Sequence, residues 1–234
     1  MQYKNLYEGI FLERLNRFVA RVEIDGVEEH VHVKNTGRCA ELLVPGYTVY
    51  LEKSDIPARK TAYDLIAVEK QLPEGVRLIN MDSMAPNKAA AEWLAEGGAG
   101  ALQNIRPEVQ IGDSRFDFCA EQDGRNVIIE VKGCTLEKDG VAAFPDAPTL
   151  RGIKHVNGLA HLARQGNRCI ILIVIQMKGM HVFRPNWQTH PEFGEALIEA
   201  AQAGVEIIAM DCEIKPGYVR IDAPVPVDLE RKSL

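Results

Sequence analysis

An Asp-Gly pair at Asp123-Gly124, flanked by two apolar runs, constrains this chain more than any other feature. Ser114-Arg115-Phe116-Asp117-Phe118 lies before the pair, and Val127-Ile128-Ile129-Glu130-Val131-Lys132 follows it. Asp-Gly supplies the positive φ angles that a tight hairpin turn needs. A two-residue turn sets Gln122 against Arg125. Counting outward then sets Asp117 against Glu130, on one face, with Cβ atoms roughly 5 Å apart. Lys132 lies two residues further on and points to the same face. Adjacent carboxylates repel unless something positive sits between them. A hard divalent cation held by oxygen ligands, magnesium or manganese, meets that need, with Lys132 beside it. The plainer alternative is a surface hairpin whose outer face carries charges, Lys132 neutralising the pair. Ile128, Ile129, Phe116 and Phe118 argue instead that both faces are buried, where charges are costly unless paired or metal-bound. The three residues read as a site.

The chain's 234 residues allow one large or two small domains, and 46% hydrophobic with 26% charged residues is an ordinary globular balance. The five cysteines, at positions 39, 119, 134, 169 and 212, are odd in number and form no C-x-x-C. They lead us to expect a reducing cytoplasm and no structural zinc. The start of the chain lacks a signal-peptide core, and the longest apolar run, Cys169 to Ile175, is too short to span a bilayer. The net charge of −6 argues against a basic nucleic-acid-binding domain. Residues 1–80 hold 11 basic and 12 acidic side chains, and residues 81–234 hold 16 and 21. Contact with nucleic acid must therefore come from a local patch.

Short strands with turns fill the first part of the chain: Phe18 to Ile24, Glu29 to Lys34, Thr48 to Lys53, Thr61 to Glu69 and Val76 to Asn80. Five such strands predict a small closed barrel over residues 1–80, of which the OB-fold is the common form. From residue 81 the texture changes. A helix over Asn87 to Glu96 is expected, then a strand over Glu108 to Ile111, the hairpin, and a helix over Thr149 to Arg164. A strand over Cys169 to Ile175, a helix over Glu192 to Ala203 and a strand over Val205 to Asp211 complete a mixed α/β sheet flanked by helices. The fold class is α+β.

Further polar groups follow the hairpin. Arg151, Lys154 and His155 share one helix face by spacing, near a helix N-terminus that is suited to phosphate. A solvated helix face is the alternative. Gln176 ends an apolar strand and either caps the next loop or aligns a water or nucleotide. Glu108, one strand before the hairpin, is a weaker third acid. In the barrel, Arg38 in the turn Asn35-Thr36-Gly37-Arg38 and the pair Arg59-Lys60 after Pro57 could grip DNA phosphates or simply serve their turns. His30 and His32 have strand-pair spacing but no third ligand, so exposed edge histidines are the expectation.

These segments together resemble the SfsA family, the sugar fermentation stimulation protein A homologues. The matching runs are N-T-G-R followed by P-G, S-R-F-D-F, E-V-K-G-C-T-L, F-P-D-A, R-G-I-K-H and the strand-ending Gln176, in order and nearly end to end. The resemblance implies an N-terminal OB-like domain and a C-terminal PD-(D/E)xK nuclease-like domain, with Asp117, Glu130 and Lys132 as the motif residues. Phe116 stands where the superfamily's name has Pro. The resemblance also implies DNA binding and a link to regulation of sugar (maltose) utilisation. Three functions remain in view: a metal-dependent DNA nuclease, a non-catalytic DNA-binding regulator with a vestigial nuclease fold, and a small-ligand OB module. Assembly into a homo-oligomer is left open.

Overall fold

Alternating inward and outward residues build the N-terminal barrel. In β2 (Val19–Ile24) the inward set is Ala20, Val22 and Ile24, and in β3 (Val27–Val33) it is Val31 and Val33. Asp25-Gly26 joins these strands, both residues at positive φ as a type I′ turn requires. With β1 (Leu6–Arg14), β4 (Thr48–Lys53) and β5 (Tyr63–Leu72) the strand order is β3-β2-β1-β4-β5. A short parallel pairing, His32 with Asp64 and Val33 with Leu65, closes the ring. This is a closed five-strand OB barrel. The computed structural model describes every residue except Thr36, Pro57, Glu74, Ser233 and Leu234, so parts of both expected phosphate turns lie outside the described residues.

The fifth stave is not the expected Val76 to Asn80. That segment, β6 (Gly75–Asn80), pairs only with β5 in the barrel sheet and lies outside the closed ring. The stave is β1, which the sequence hides because only Gly9 and Phe11 along it are buried, among Glu8, Glu13 and Arg14. Gly9 must stay bare: a Cβ there would lie 2.6 Å from Val22.

The second layer begins with α1 (Ala85–Ala95), followed by an antiparallel run of β7 (Gln103–Ile111), β8 (Ser114–Gln122) and β9 (Arg125–Cys134). A small hairpin comes next, β10 (Leu136–Lys138) and β11 (Val141–Phe144), turned by a further Asp139-Gly140 pair at positive φ. Helix α2 (Leu150–Arg164) then leads into β12 (Arg168–Ile175). β13 (Val182–Pro185), α3 (Pro191–Gln202), β14 (Glu206–Lys215) and β15 (Tyr218–Val225) complete the chain. The main sheet runs β15-β14-β12-β9-β8-β7, with β9, β12 and β14 parallel. The all-apolar β12 explains itself. Ile171 and Ile173 pack with Val156 and Leu159 of α2, and Ile170 and Leu172 pack with Ala89 and Leu94 of α1, so helices cover both faces. No helix among the described residues is long and apolar enough to cross a membrane.

The small sheet β10-β11-β13 and the strand β15 were not foreseen in the sequence. The small sheet matters because it sets Phe144 at the edge of a cleft. It is also tied to the barrel: Glu137, almost fully buried, accepts hydrogen bonds from Lys70 at 2.5 Å and Arg77 at 2.7 Å. The outer face of β5, through Ile66 and Ala67, shares a core with α1.

Candidate metal centre

The expected hairpin register is the one observed. Asp123 and Gly124 have φ of 50° and 74°, and the ladder runs from Gln122 opposite Arg125 to Phe118 opposite Ile129. At the next pair, Asp117 and Glu130, the ladder stops. The Asp117 carboxylate takes over instead: Oδ2 accepts the Val131 amide at 2.7 Å, and Oδ1 accepts the Asn87 side-chain amide of α1 at 2.8 Å. Asn87 escapes sequence reasoning because it lies thirty residues away and only the packing of α1 on the sheet brings it there.

Asp117, Glu130 and Lys132 line one cleft of about 260 Å³, together with Phe144, Thr149 and Arg151. Glu130 is 3% exposed. Its Oε1 accepts hydrogen bonds from the Lys132 ammonium and from Nδ1 of His155. Its Oε2 is buried with no partner. A desolvated carboxylate oxygen without a donor costs several kcal/mol, roughly, and native proteins rarely tolerate one without a reason. That oxygen and the Asp117 carboxylate in the same cleft are oxygen donors of the kind a hard divalent cation takes. Among the described residues no group of three or more His, Cys, Asp or Glu side chains is placed to hold a metal ion by itself.

Of the other expected site residues, Glu108, Arg151 and His155 line the same cleft, whereas Lys154, Gln176 and the barrel residues lie elsewhere. His155 is buried (7% exposed) against Phe116 and Glu130, so it faces the acid and not an external phosphate. Arg151, one helical turn earlier, is exposed on the cleft rim. Lys154 turns away and donates to the Asp113 carbonyl at 2.8 Å, since i+3 and i+4 from Arg151 point to opposite edges of the face. Thr149 caps α2 by accepting the Gly152 amide at 3.0 Å, which aims the helix N-terminus toward the cleft. Glu108 stands at the rim, 68% exposed and 3.7 Å from Arg115, with an unusual positive φ of 52°.

Gln176 is not at the acid pair. It is buried, and its amide donates to Asn80 Oδ1 at 2.9 Å and to the Asp82 carbonyl at 3.1 Å, tying the end of β12 to the segment that leaves the barrel. In the barrel, Arg59 makes a two-pronged bond to Asp64 at 2.6 and 2.9 Å, and His32 reaches the same carboxylate at 2.9 Å. His32 is therefore a partnered, half-buried side chain, while His30 is exposed. Burial pushes the Asp64 carboxyl up, but the bonds from Arg59 and His32 outweigh it and leave the group below its ordinary value. Arg38 is exposed and donates to the Asp146 carbonyl at 2.9 Å, and Lys60 is exposed.

Comparison with known proteins gives the family. The model of the SfsA N-terminal OB domain matches residues 12–80, and that of the sugar fermentation stimulation protein RE domain matches residues 84–218. A sugar fermentation stimulation protein homolog of Desulfitobacterium hafniense (strain Y51) is 54% identical over 229 residues, 98% of this chain and 99% of the relative. One from Ruminiclostridium cellulolyticum is 50% identical over 230 residues, 98% of this chain and all of the relative. A solved structure, Pyrococcus furiosus SfsA in complex with Ca2+, matches with a TM-score of 0.86 at 29% identity and covers 97% of this chain and 98% of that one. With both domain models and near full-length relatives in agreement, this chain belongs to the sugar fermentation stimulation protein family.

Proposed function

We propose that the protein binds DNA across the cleft and carries a magnesium- or manganese-dependent nuclease-type site there. The observation that carries this reading is the unpartnered, buried Oε2 of Glu130 beside Asp117. Asp117 and Glu130 would hold the cation. A cation so bound polarises a phosphate oxygen and makes water a nucleophile at neutral pH. Lys132 holds Glu130 in place and presents an ammonium where negative charge grows on an attacked phosphate. Arg151 on the rim, with Arg38 and Lys60 on the barrel side, supplies positive charge for the DNA backbone. The family name brings with it a role in sugar utilisation, which we extend to this chain as control exerted on DNA. Its five free cysteines suit a reducing cytoplasm.

Labelled single- and double-stranded DNA, incubated with the wild type and with Asp117→Asn in magnesium, manganese or EDTA, tests the reading. Cation-dependent cleavage by the wild type alone is expected. The same cations should raise the wild-type melting temperature, because a ligand of the native state stabilises it by about 2.7 kcal/mol at a hundred times its Kd. Equal thermal shifts in Asp117→Asn would remove the shared site.

A second reading, a non-catalytic DNA-binding regulator, is favoured by one observation: among the described residues no group of three or more His, Cys, Asp or Glu side chains is placed to hold a metal ion. It expects DNA binding that is unaltered by Asp117→Asn, and cleavage in no condition.

A further inference from the structure

His155 belongs to the R-G-I-K-H run, which spacing alone would assign to phosphate binding, yet its ring is buried and turned inward. A carboxylate only accepts hydrogen bonds, so Nδ1 of His155 must donate to Glu130 Oε1, in the Nδ1–H tautomer or the cation. Lys132 donates to that same oxygen. One oxygen of Glu130 therefore carries two donors and the other carries none. The ring is buried at this post. It lies 5.9 Å from the Phe116 ring, on the first turns of a helix capped by Thr149.

This asymmetry has a consequence for the cation. Magnesium demands near-ideal octahedral geometry and takes carboxylates through one oxygen, whereas calcium accepts six to eight oxygens and grips carboxylates through one or both. We propose that His155 is a positioning residue which, with Lys132, reserves Oε1 so that Glu130 meets a cation through Oε2 alone, and thereby tunes the cleft toward magnesium or manganese over calcium. The inference rests on the proposed cation site and deepens it. Without the imidazole, Oε1 loses one of its two donors. The carboxylate is then free to turn both oxygens to a larger ion.

Calorimetric titration of the full-length protein with magnesium, manganese and calcium chloride tests this in the wild type, His155→Leu and His155→Asn. Leucine keeps apolar bulk and removes the donor; asparagine places an amide donor on the same γ carbon. His155→Leu should bind magnesium about tenfold more weakly, as loss of a hydrogen-bonding partner to a metal-ligating carboxylate typically does. Its calcium affinity should fall less, so the calcium-to-magnesium preference rises, and His155→Asn should restore the wild-type ratio. Melting curves in EDTA show whether each variant folds. If leucine does not fold, the unbranched His155→Met carries the same expectation. Equal loss for all three cations, an unchanged ratio, or an asparagine variant that behaves like leucine would overturn the role of His155 while leaving the cation site standing. A wild type that binds no divalent cation would overturn the site itself, and this inference with it.

Discussion

The barrel and the cleft both bury carboxylates, but they treat them in opposite ways. Among the described residues, the three buried acids in and around the barrel are answered by the chain itself, although one oxygen of the half-buried Glu41 is left without a partner. Asp64 has Arg59 and His32, Asp82 has Lys34 at 2.9 Å and the Tyr3 hydroxyl at 3.1 Å, and Glu137 has Lys70 and Arg77. In the cleft, Glu130 has two donors on one oxygen and nothing on the other. A buried charge with matched partners holds elements in register, whereas one left half-answered is an arrangement that something else must complete. The contrast sets the acids that tie elements together apart from Glu130, the nearly fully buried acid on which the proposed site rests.

The largest expected effect falls on the cleft side. Lys132→Met keeps the length and apolar packing of the stem and deletes its charge. If the cleft is catalytic, the variant still binds DNA with cation but cleaves it roughly 100-fold or more slowly, as when one strong electrostatic donor is removed. Single-turnover cleavage at saturating protein measures this. Undiminished cleavage by the variant would mark the activity as a contaminant and the assignment as wrong.

On the barrel side the expected loss is stability, not chemistry. Arg59→Ala leaves Asp64 with His32 alone, and removing a charged hydrogen-bond partner costs roughly 1.5–3 kcal/mol. The Asp64 carboxyl is held low in the folded state, so its folded pKa lies below its unfolded one. Its stabilising contribution is full above the ordinary carboxylate pKa, roughly 4, and is lost as pH falls through the folded value. Urea unfolding of both proteins should show the gap between them at pH 7 shrinking toward pH 3. A gap that does not change with pH would mean that Arg59 acts through packing and not through Asp64.

What could be read from the sequence follows the range of the interactions involved. The hairpin was legible because Asp123-Gly124 dictates its own turn and the turn dictates the register. β12 was legible because burial on both faces demands an unbroken apolar run. The barrel's closure was not, since it depends on His32 meeting Asp64 across thirty-two residues, and β1 was masked by charges outside its two inward positions. In the site, spacing put Arg151, Lys154 and His155 on one helix face, but it could not say how the sheet would divide that face. Packing buried His155 on Glu130, left Arg151 at the rim and sent Lys154 to Asp113. Gln176 was likewise visible as a strand end, while its partners Asn80 and Asp82 come from the segment leaving the barrel, 96 and 94 residues earlier in the chain.

The smallest effect sharpens the comparison among cations that look alike in the sequence. Arg38, Arg59, Lys60 and Arg151 are all candidates for DNA phosphates, but they do not offer the same charge. Arg59 is already neutralised by Asp64. Arg38 bonds a backbone carbonyl, which leaves its full charge, and Lys60 and Arg151 are exposed and make no ion pair among the described residues. Each phosphate contact releases condensed counterions, so its loss lowers the slope of log affinity against log salt by roughly one. Binding of a fixed duplex at several salt concentrations should therefore show a slope smaller by about one in Arg38→Ala, Lys60→Ala and Arg151→Ala. Arg59→Ala should leave it unchanged once the protein is kept folded. If Arg59→Ala lowers the slope as much as the others do, the Asp64 pair opens on DNA, and the division between building and binding charges fails at that residue.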